Sequence, residues 1–171
     1  MGYVHDTHFA QFIPPTAFSI PAGTWTPSVA SDVFKNVRTA GAAAFTAYIP
    51  IPIPSNASAY KGCRLKSIDV FYKILTKDTT DFALATIVLS KFTLPATAVA
   101  PTGAAVVVTN DSAHDTAAKL KAQGDHTLTL TLTTPAWIAN TDAYVLTLVV
   151  DAADTSVFTF FGARANYDLR A

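Results

Sequence analysis

A strict alternation of leucine and threonine constrains the fold of this chain more than any other feature. Residues 127–133 read TLTLTLT, so that three leucines occupy one parity and four threonines the other. Because successive side chains of a β-strand point to opposite faces, this period of two predicts a strand with one face in a core. Residues 65–76, 142–151 and 155–169 alternate in a similar way. The chain is therefore predicted to consist largely of half-buried strands.

The alternation also predicts which side chains face the core. The inward sets are Ile68, Val70, Tyr72 and Ile74, then Leu128, Leu130 and Leu132, then Tyr144, Leu146, Leu148 and Val150, and finally Val157, Phe161, Ala163, Ala165, Tyr167 and Leu169. Gly162 is expected to form a bulge or bend within the last strand. One short helix is predicted over residues 112–124, with Ser112 or Asp115 as its N-cap and Gly124 as its stop.

Seven to nine such strands, separated by turn residues, predict an all-β, antiparallel β-sandwich. A jelly roll with one short helix between its middle strands is the preferred topology, and an immunoglobulin-like sandwich is the alternative. We find no internal repeat and no linker that would divide the chain. Residues 30–171 are predicted to form a single β-sandwich domain, preceded by an extended N-terminal arm of residues 1–29.

The arm contains Pro14, Pro15, Pro21 and Pro27, which exclude a helix interior and favour extended or turn conformations. We expect it to be anchored along the domain or along a neighbour. The predicted anchors are its apolar side chains Phe9, Phe12, Ile13, Phe18, Ile20 and Trp25.

Residues 45–54 read FTAYIPIPIP, in which prolines alternate with Ile49, Ile51 and Ile53. Proline has no backbone N–H, so this segment is predicted to pair along one edge only, as an edge strand at the border of a sheet. The same alternation suits an extended contact with another subunit. We therefore predict subunit contacts by these three isoleucines and by the six arm anchors.

Charge and cysteine content narrow the possible partners. Charged residues make up 14% of the 171 residues, with twelve basic and twelve acidic side chains, against about 25% in an average globular protein. Without net charge or a basic run, we expect no nucleic-acid partner and no membrane partner. The lone Cys63 cannot form an internal disulfide. The first residues lack the basic and apolar regions of a signal peptide, so we expect synthesis in a cytoplasm without export.

The sequence offers few groups for chemistry. His5, Asp6 and His8 are metal-ligand types, but an extended arm would point the two imidazoles to different sides, and a polar patch is the preferred interpretation. His114, Asp115 and His126 flank the predicted helix and could act as acid and base if the fold brings them together. The chain has no Glu and no nucleophile-elbow motif. We predict no enzyme, no metal and no cofactor.

Three features together carry a resemblance to a known class of proteins. They are the proline-containing arm, the strand HTLTLTLTT and the final strand TSVFTFFGARANYDLR. The chain resembles the small jelly-roll virion proteins of tailed bacteriophages, of the capsid decoration or fibre-head type. That resemblance implies a structural subunit of a symmetric homo-oligomer, such as a trimer, on the virion surface. It also implies a major capsid or tail protein as a further partner.

The alternative is a carbohydrate- or receptor-binding β-sandwich module. Aromatic side chains could build a sugar-stacking platform for such a module. The candidates are Trp25, Trp137, Tyr3, Tyr48 and Tyr60.

Overall fold

The computed structural model describes residues 6–21, 25–38, 45–54, 62–76, 83–95, 97, 99–151 and 157–170. Nearly all of the regular secondary structure in these residues is β-strand. The strands are β1 (Asp6–Ile13), β2 (Trp25–Ala30), β3 (Val33–Arg38), β4 (Phe45–Ile51), β5 (Cys63–Thr76), β6 (Ala83–Thr93), β7 (Thr102–Val106), β8 (Val108–Asn110), β9 (Gly124–Leu132), β10 (Asp142–Asp151) and β11 (Val157–Arg170), with a 3-10 turn at Pro15–Ala17 and one helix, α1 (Ala117–Leu120).

The strands form two antiparallel sheets whose pairing is nested. Sheet A has the order β2-β3-β11-β5-β9-β8, with β1 also paired to β11, and sheet B has the order β4-β10-β6-β7. Strand β6 pairs with β7, β5 with β9, β4 with β10, and β3 with β11. A hairpin of four strand pairs, rolled so that successive pairs alternate between two sheets, is a jelly roll. The predicted β-sandwich and its preferred topology are confirmed.

The core lies between the two sheets and is filled by the alternate residues of their strands. The side chains assigned inward on β5 and β9, and Tyr144, Leu146 and Leu148 on β10, are all buried. An aromatic group at one end of the core joins Trp25 to Phe45, with ring centroids 4.7 Å apart, and to Phe160, at 5.4 Å. The alternation therefore identified the inner faces of these three strands.

Strand β11 departs from its predicted face because it contains a bulge. The register with β5 shifts between Phe160 and Gly162, where φ is +130°. After the bulge Ala163, Ala165, Tyr167 and Leu169 point inward as predicted. Before it, the buried side chains are Phe158 and Phe160 rather than Val157 and Phe161, because the extra residue reverses the parity of the strand.

The predicted arm is part of sheet A. Strand β1 pairs with β11 over its whole length, and β2 pairs with β3, so the expected boundary at residue 29 falls inside a strand. Ile13 and Phe18 lie in the core, and Ile20 and Trp25 pack against it. Phe9 and Phe12 remain exposed. Residues 1–5 and 22–24 lie outside the described residues.

Strand β4 is the predicted edge strand of sheet B. It pairs with β10 on one side, and on the other side we see a single bridge, between Tyr48 and Ser19. Ile49 and Ile51 are buried in the core of their own domain and Ile53 packs against it. Pairing along one edge is confirmed. Of the nine residues predicted to contact other subunits, only Phe9 and Phe12 have large exposed side chains.

The helix is shorter than predicted. It spans Ala117–Leu120, and the Thr116 side chain, rather than Ser112 or Asp115, caps it by accepting from the backbone N–H of Lys119. Before it, Asn110 donates to the carbonyl oxygen of His114, and Asp111 accepts from the backbone N–H of Ala113, which holds this segment in turns. Within the described chain, no helix is long and apolar enough to cross a membrane.

Candidate functional site

No side chain that the structure describes on the outer surface of sheet B is charged. Its members follow from the register and from alternation with the buried residues of each strand. We call it the uncharged face, and it comprises Thr46, Tyr48, Pro50, Val88, Ser90, Phe92, Gly103, Ala105, Ala143, Val145, Thr147 and Val149. These side chains are half-buried or exposed. Water therefore contacts a broad area of apolar and small side chains.

The outer surface of sheet A is different because acid–base pairs cross it. The register places Arg64 opposite Asp168, Asp69 opposite Arg164, and Lys73 opposite Asp125. The nitrogen-to-oxygen distances in these three ion pairs are 2.8, 2.8 and 3.3 Å. Charge is thus confined largely to one side of the sandwich, and the two outer faces have different physical character.

Two carboxylates on this charged surface are buried and heavily hydrogen-bonded. Asp69 accepts from Arg164, Asn166 and Thr129. Asp168 accepts from Arg64 at 2.8 Å and from His8 at 2.8 Å, with Lys66 at 3.4 Å. The metal-ligand candidate His8 is thus engaged in a hydrogen bond to Asp168. The structure describes neither His5 nor the side chain of Asp6.

A histidine pair lies next to the segment of α1, where the acid–base candidates were predicted, and His114 is buried while His126 is half-buried. Nε2 of His114 is 3.1 Å from Nδ1 of His126, and Nδ1 of His114 is 2.9 Å from both carboxylate oxygens of Asp111. Nε2 of His126 is 2.7 Å from the carbonyl oxygen of Ala122. Asp115 is not part of the cluster, because it pairs with Lys119 at 2.8 Å.

Two members of the cluster were not identified from the sequence. Tyr72 stacks on His126 with centroids 4.6 Å apart and donates its hydroxyl to the carbonyl oxygen of Leu120 at 2.7 Å. Burial, and secondarily the Asp111 carboxylate, raises the pKa of Tyr72, so the phenol keeps its proton. Asp111 was interpreted only as a turn residue. Its place in an Asp-x-x-His spacing was the signal that could have identified it.

The cluster is closed by its own hydrogen bonds. All four imidazole nitrogens have partners, and Asp111 also accepts from the backbone N–H groups of Ala113 and Thr129. No group of three or more metal-ligand side chains is arranged to hold an ion in the part of the chain that the structure describes. These bonds tie the turn at Asp111 to β9 and tie His126 to the segment that follows α1.

The proposed sugar-stacking residues are distributed over the fold. Trp25 packs in the core, while Tyr48 lies on the uncharged face. Trp137 pairs with Arg64 of sheet A, whose guanidinium carbon lies 5.2 Å from the centroid of the indole ring. Tyr3 and Tyr60 lie outside the described residues. The described aromatic side chains therefore do not form one platform.

A second exposed apolar surface lies beside β1. Phe12, Val33, Phe34 and Phe161 line a surface depression of about 410 Å³ together with two prolines, and Thr16 and Asp32 are its polar lining residues. Phe12 is 58% exposed and Phe34 is 60% exposed. We call this depression the apolar groove. It contains Phe12, one of the two predicted contact residues that have large exposed side chains.

Comparisons with known proteins give little further guidance. No protein-family model and no curated protein matches the sequence. Among solved structures, the chain is similar to the Clostridium thermocellum N-terminal endo-1,4-beta-D-xylanase 10B, CBM22-1 and GH10 modules, complexed with xylohexaose. The TM-score is 0.41 at 12% identity, and the match covers all of this chain and 29% of that one. So distant a likeness indicates no shared function.

Four carboxyl groups are expected to make the fold sensitive to acid. Burial alone would raise the pKa values of Asp69, Asp111, Asp142 and Asp168, but hydrogen bonds and neighbouring cations outweigh it and hold all four pKa values below the ordinary range. Their stabilisation is fully present above the unfolded-state value of about 3.9 and is lost as the pH falls through the lower folded-state values.

We therefore expect the free energy of unfolding, measured by urea denaturation, to decline steadily below about pH 5. The variant Asp168→Asn should be less stable than the wild type at pH 6 and should decline less steeply, because it has one fewer carboxylate to protonate. An unfolding free energy that stays constant from pH 5 to pH 3 would contradict this account.

Proposed function

We propose that this protein is a structural subunit of a symmetric assembly, a virion surface protein of the capsid decoration or fibre-head type. The observation that carries the proposal is the uncharged face. Interface cores are depleted of charged residues, and an apolar surface of this kind is stabilised when a partner removes it from water.

The size of the uncharged face supports an interface. Strands lie about 4.8 Å apart and outward residues about 6.8 Å apart along a strand, so three outward residues on each of four strands cover roughly 400 Å². The largest apolar patch on a typical monomer, about 300–600 Å², is often functional. A stable interface buries about 800 Å² on each partner. An assembly would therefore use the uncharged face together with other exposed apolar residues.

The apolar groove supplies such a second surface. Phe12, Val33 and Phe34 are all exposed there, and Phe9 is exposed on the same strand as Phe12. Two separate apolar surfaces allow each subunit to contact more than one neighbour, as rings of three or more subunits and larger symmetric assemblies require. The trimer and a major capsid or tail protein as further partner belong to the same proposal.

The test is the mass of the purified protein by light scattering behind a sizing column. We expect the wild type to exceed the 18.1 kDa of one chain, and Val145→Lys to lower the mass by placing a charge in the uncharged face. Thr127→Lys is the matched control, since Thr127 is exposed on the outer surface of sheet A, and it should leave the mass unchanged. A wild-type monomer at all concentrations would overturn the proposal.

A monomeric wild type would favour the alternative, a carbohydrate- or receptor-binding module. One observation supports that alternative. The Trp137 indole is 37% exposed beneath the Arg64 guanidinium, an aromatic surface beside a cation of the kind that sugar-binding sites use. In that case a glycan that binds the wild type should fail to bind Trp137→Ala.

A further inference from the structure

We propose that the uncharged face packs against the same face of a second copy of this chain, about a two-fold axis that runs between β10 and β6 and parallel to them. This inference rests on the proposed function and names the partner for one of its surfaces. Sheets pack face to face about 10 Å apart with interdigitating side chains. A two-fold contact requires one surface to be complementary to itself.

The cross-strand pairs at the centre of the face have that self-complementarity. The register places Ala143 opposite Phe92 and Val145 opposite Ser90. A two-fold axis between β10 and β6 exchanges the members of each pair between copies. Phe92 of one copy then stands over Ala143 of the other, and Val145 stands over Ser90. In both pairs a larger side chain meets a smaller one, which is the condition for interdigitation.

The flanks of the face are complementary at the level of this second pair. Pro50 on β4 is paired with Val145, and Ala105 on β7 is paired with Ser90. The axis that lays Val145 over Ser90 therefore also lays Pro50 of one copy over Ala105 of the other. A larger side chain again meets a smaller one, so at this level the match extends across all four strands of the sheet.

Charge points to a second copy as the partner. The described positions of the uncharged face hold no acidic or basic side chain, so its self-association brings no like charges together. A two-fold contact joins subunits in pairs and cannot by itself build a trimer. Contacts around a three-fold axis would instead use the apolar groove and Phe9.

The experiment places opposite charges at the two positions that the axis brings together. Val145→Asp and Ser90→Lys are each expected to weaken self-association at least about 100-fold, because each buries an unpaired charge. When the two variants are mixed, the introduced carboxylate of one chain faces the introduced ammonium group of the other, and the affinity should return to within about tenfold of the wild type. Analytical ultracentrifugation over a concentration series measures this, with circular dichroism to verify folding.

A mixture of Ser90→Lys with Thr46→Asp is the matched control. Thr46 lies on β4, and the axis holds it more than about 10 Å from Ser90 of the other copy, so this mixture should not restore association. If Val145→Asp does not fold, Thr147→Asp mixed with Val88→Lys tests the neighbouring cross-strand pair in the same way.

The outcomes separate this inference from the function on which it rests. A wild-type mass that is an even multiple of 18.1 kDa, restored by mixing the first pair and not by the control, supports the inference. An assembly that is only trimeric, or whose association mixing does not restore, overturns the two-fold contact and leaves the assembly proposal standing. A monomeric wild type overturns both.

Discussion

Replacing Gly162 by alanine is expected to lower the free energy of unfolding by about 3 kcal/mol. The backbone φ of Gly162 is +130°, a conformation that residues with a side chain rarely adopt. A Cβ atom would also lie 2.7 Å from the carbonyl oxygen of Ile13 and 2.7 Å from a ring carbon of Phe12. Because Ile13 is paired with Ala163 on β11, its carbonyl cannot withdraw without disrupting the β1–β11 ladder.

Gly124→Ala is the matched control for this prediction. Gly124 has a similar φ of +137°, but a Cβ atom there would meet nothing within 4 Å. The unfolding free energy that Gly124→Ala loses should reflect backbone strain alone, about 1 kcal/mol. Neither position belongs to the uncharged face. Equal losses in chemical denaturation would show that the contact of Gly162 with β1 contributes nothing to stability.

The second large effect is expected at Asp111, because its carboxylate is the acceptor on which the surrounding turn depends. It accepts from Nδ1 of His114 at 2.9 Å and from the backbone N–H groups of Ala113 and Thr129. Nε2 of His114 lies 3.1 Å from Nδ1 of His126, so the Asp111 side chain also positions the ring that contacts His126.

We expect Asp111→Asn to cost about 2 kcal/mol of unfolding free energy, since an amide has one acceptor oxygen and leaves part of these three donors unsatisfied. Asp125→Asn is the control: Asp125 precedes His126, and its side chain is 74% exposed in a pair with Lys73. The loss of unfolding free energy in the control should stay within about 0.5 kcal/mol. Equal losses of the two variants in chemical denaturation would contradict this account.

Much of the fold could be predicted because it follows from a local pattern, the alternation of apolar and polar residues along each strand. Alternation identified the inward faces of β5, β9 and β10, and the prolines of β4 identified an edge strand. The pattern does not report where a bulge reverses the parity, so Phe158 and Phe160 were assigned to the wrong face of β11. Nor does it report pairing between the two ends of the chain, which places Ile13 and Phe18 in the core.

The candidate sites were less predictable for a related reason. The contact between His114 and His126 exists because β9 returns past the turn that Asp111 starts, and Asp115, adjacent in sequence to His114, points away. The uncharged face becomes visible only when β4, β6, β7 and β10 lie side by side. Each strand alone contributes two to four outward residues, too few to stand out in a sequence.

The nested pairing of the strands also orders the events of folding. The innermost hairpin, β6 with β7, joins neighbouring segments, whereas the outermost pairs connect β11 to β3 and to β1 across nearly the whole described chain. Closing a longer loop costs more chain entropy, and folds dominated by such distant pairings form slowly. Strand β11 is synthesised after β1, β3 and β5, all of which pair with it. During translation the backbone N–H and C=O groups of these three strands are exposed until their common neighbour has been made. The edges of sheet A are therefore open to mispairing for longer than those of the inner hairpin.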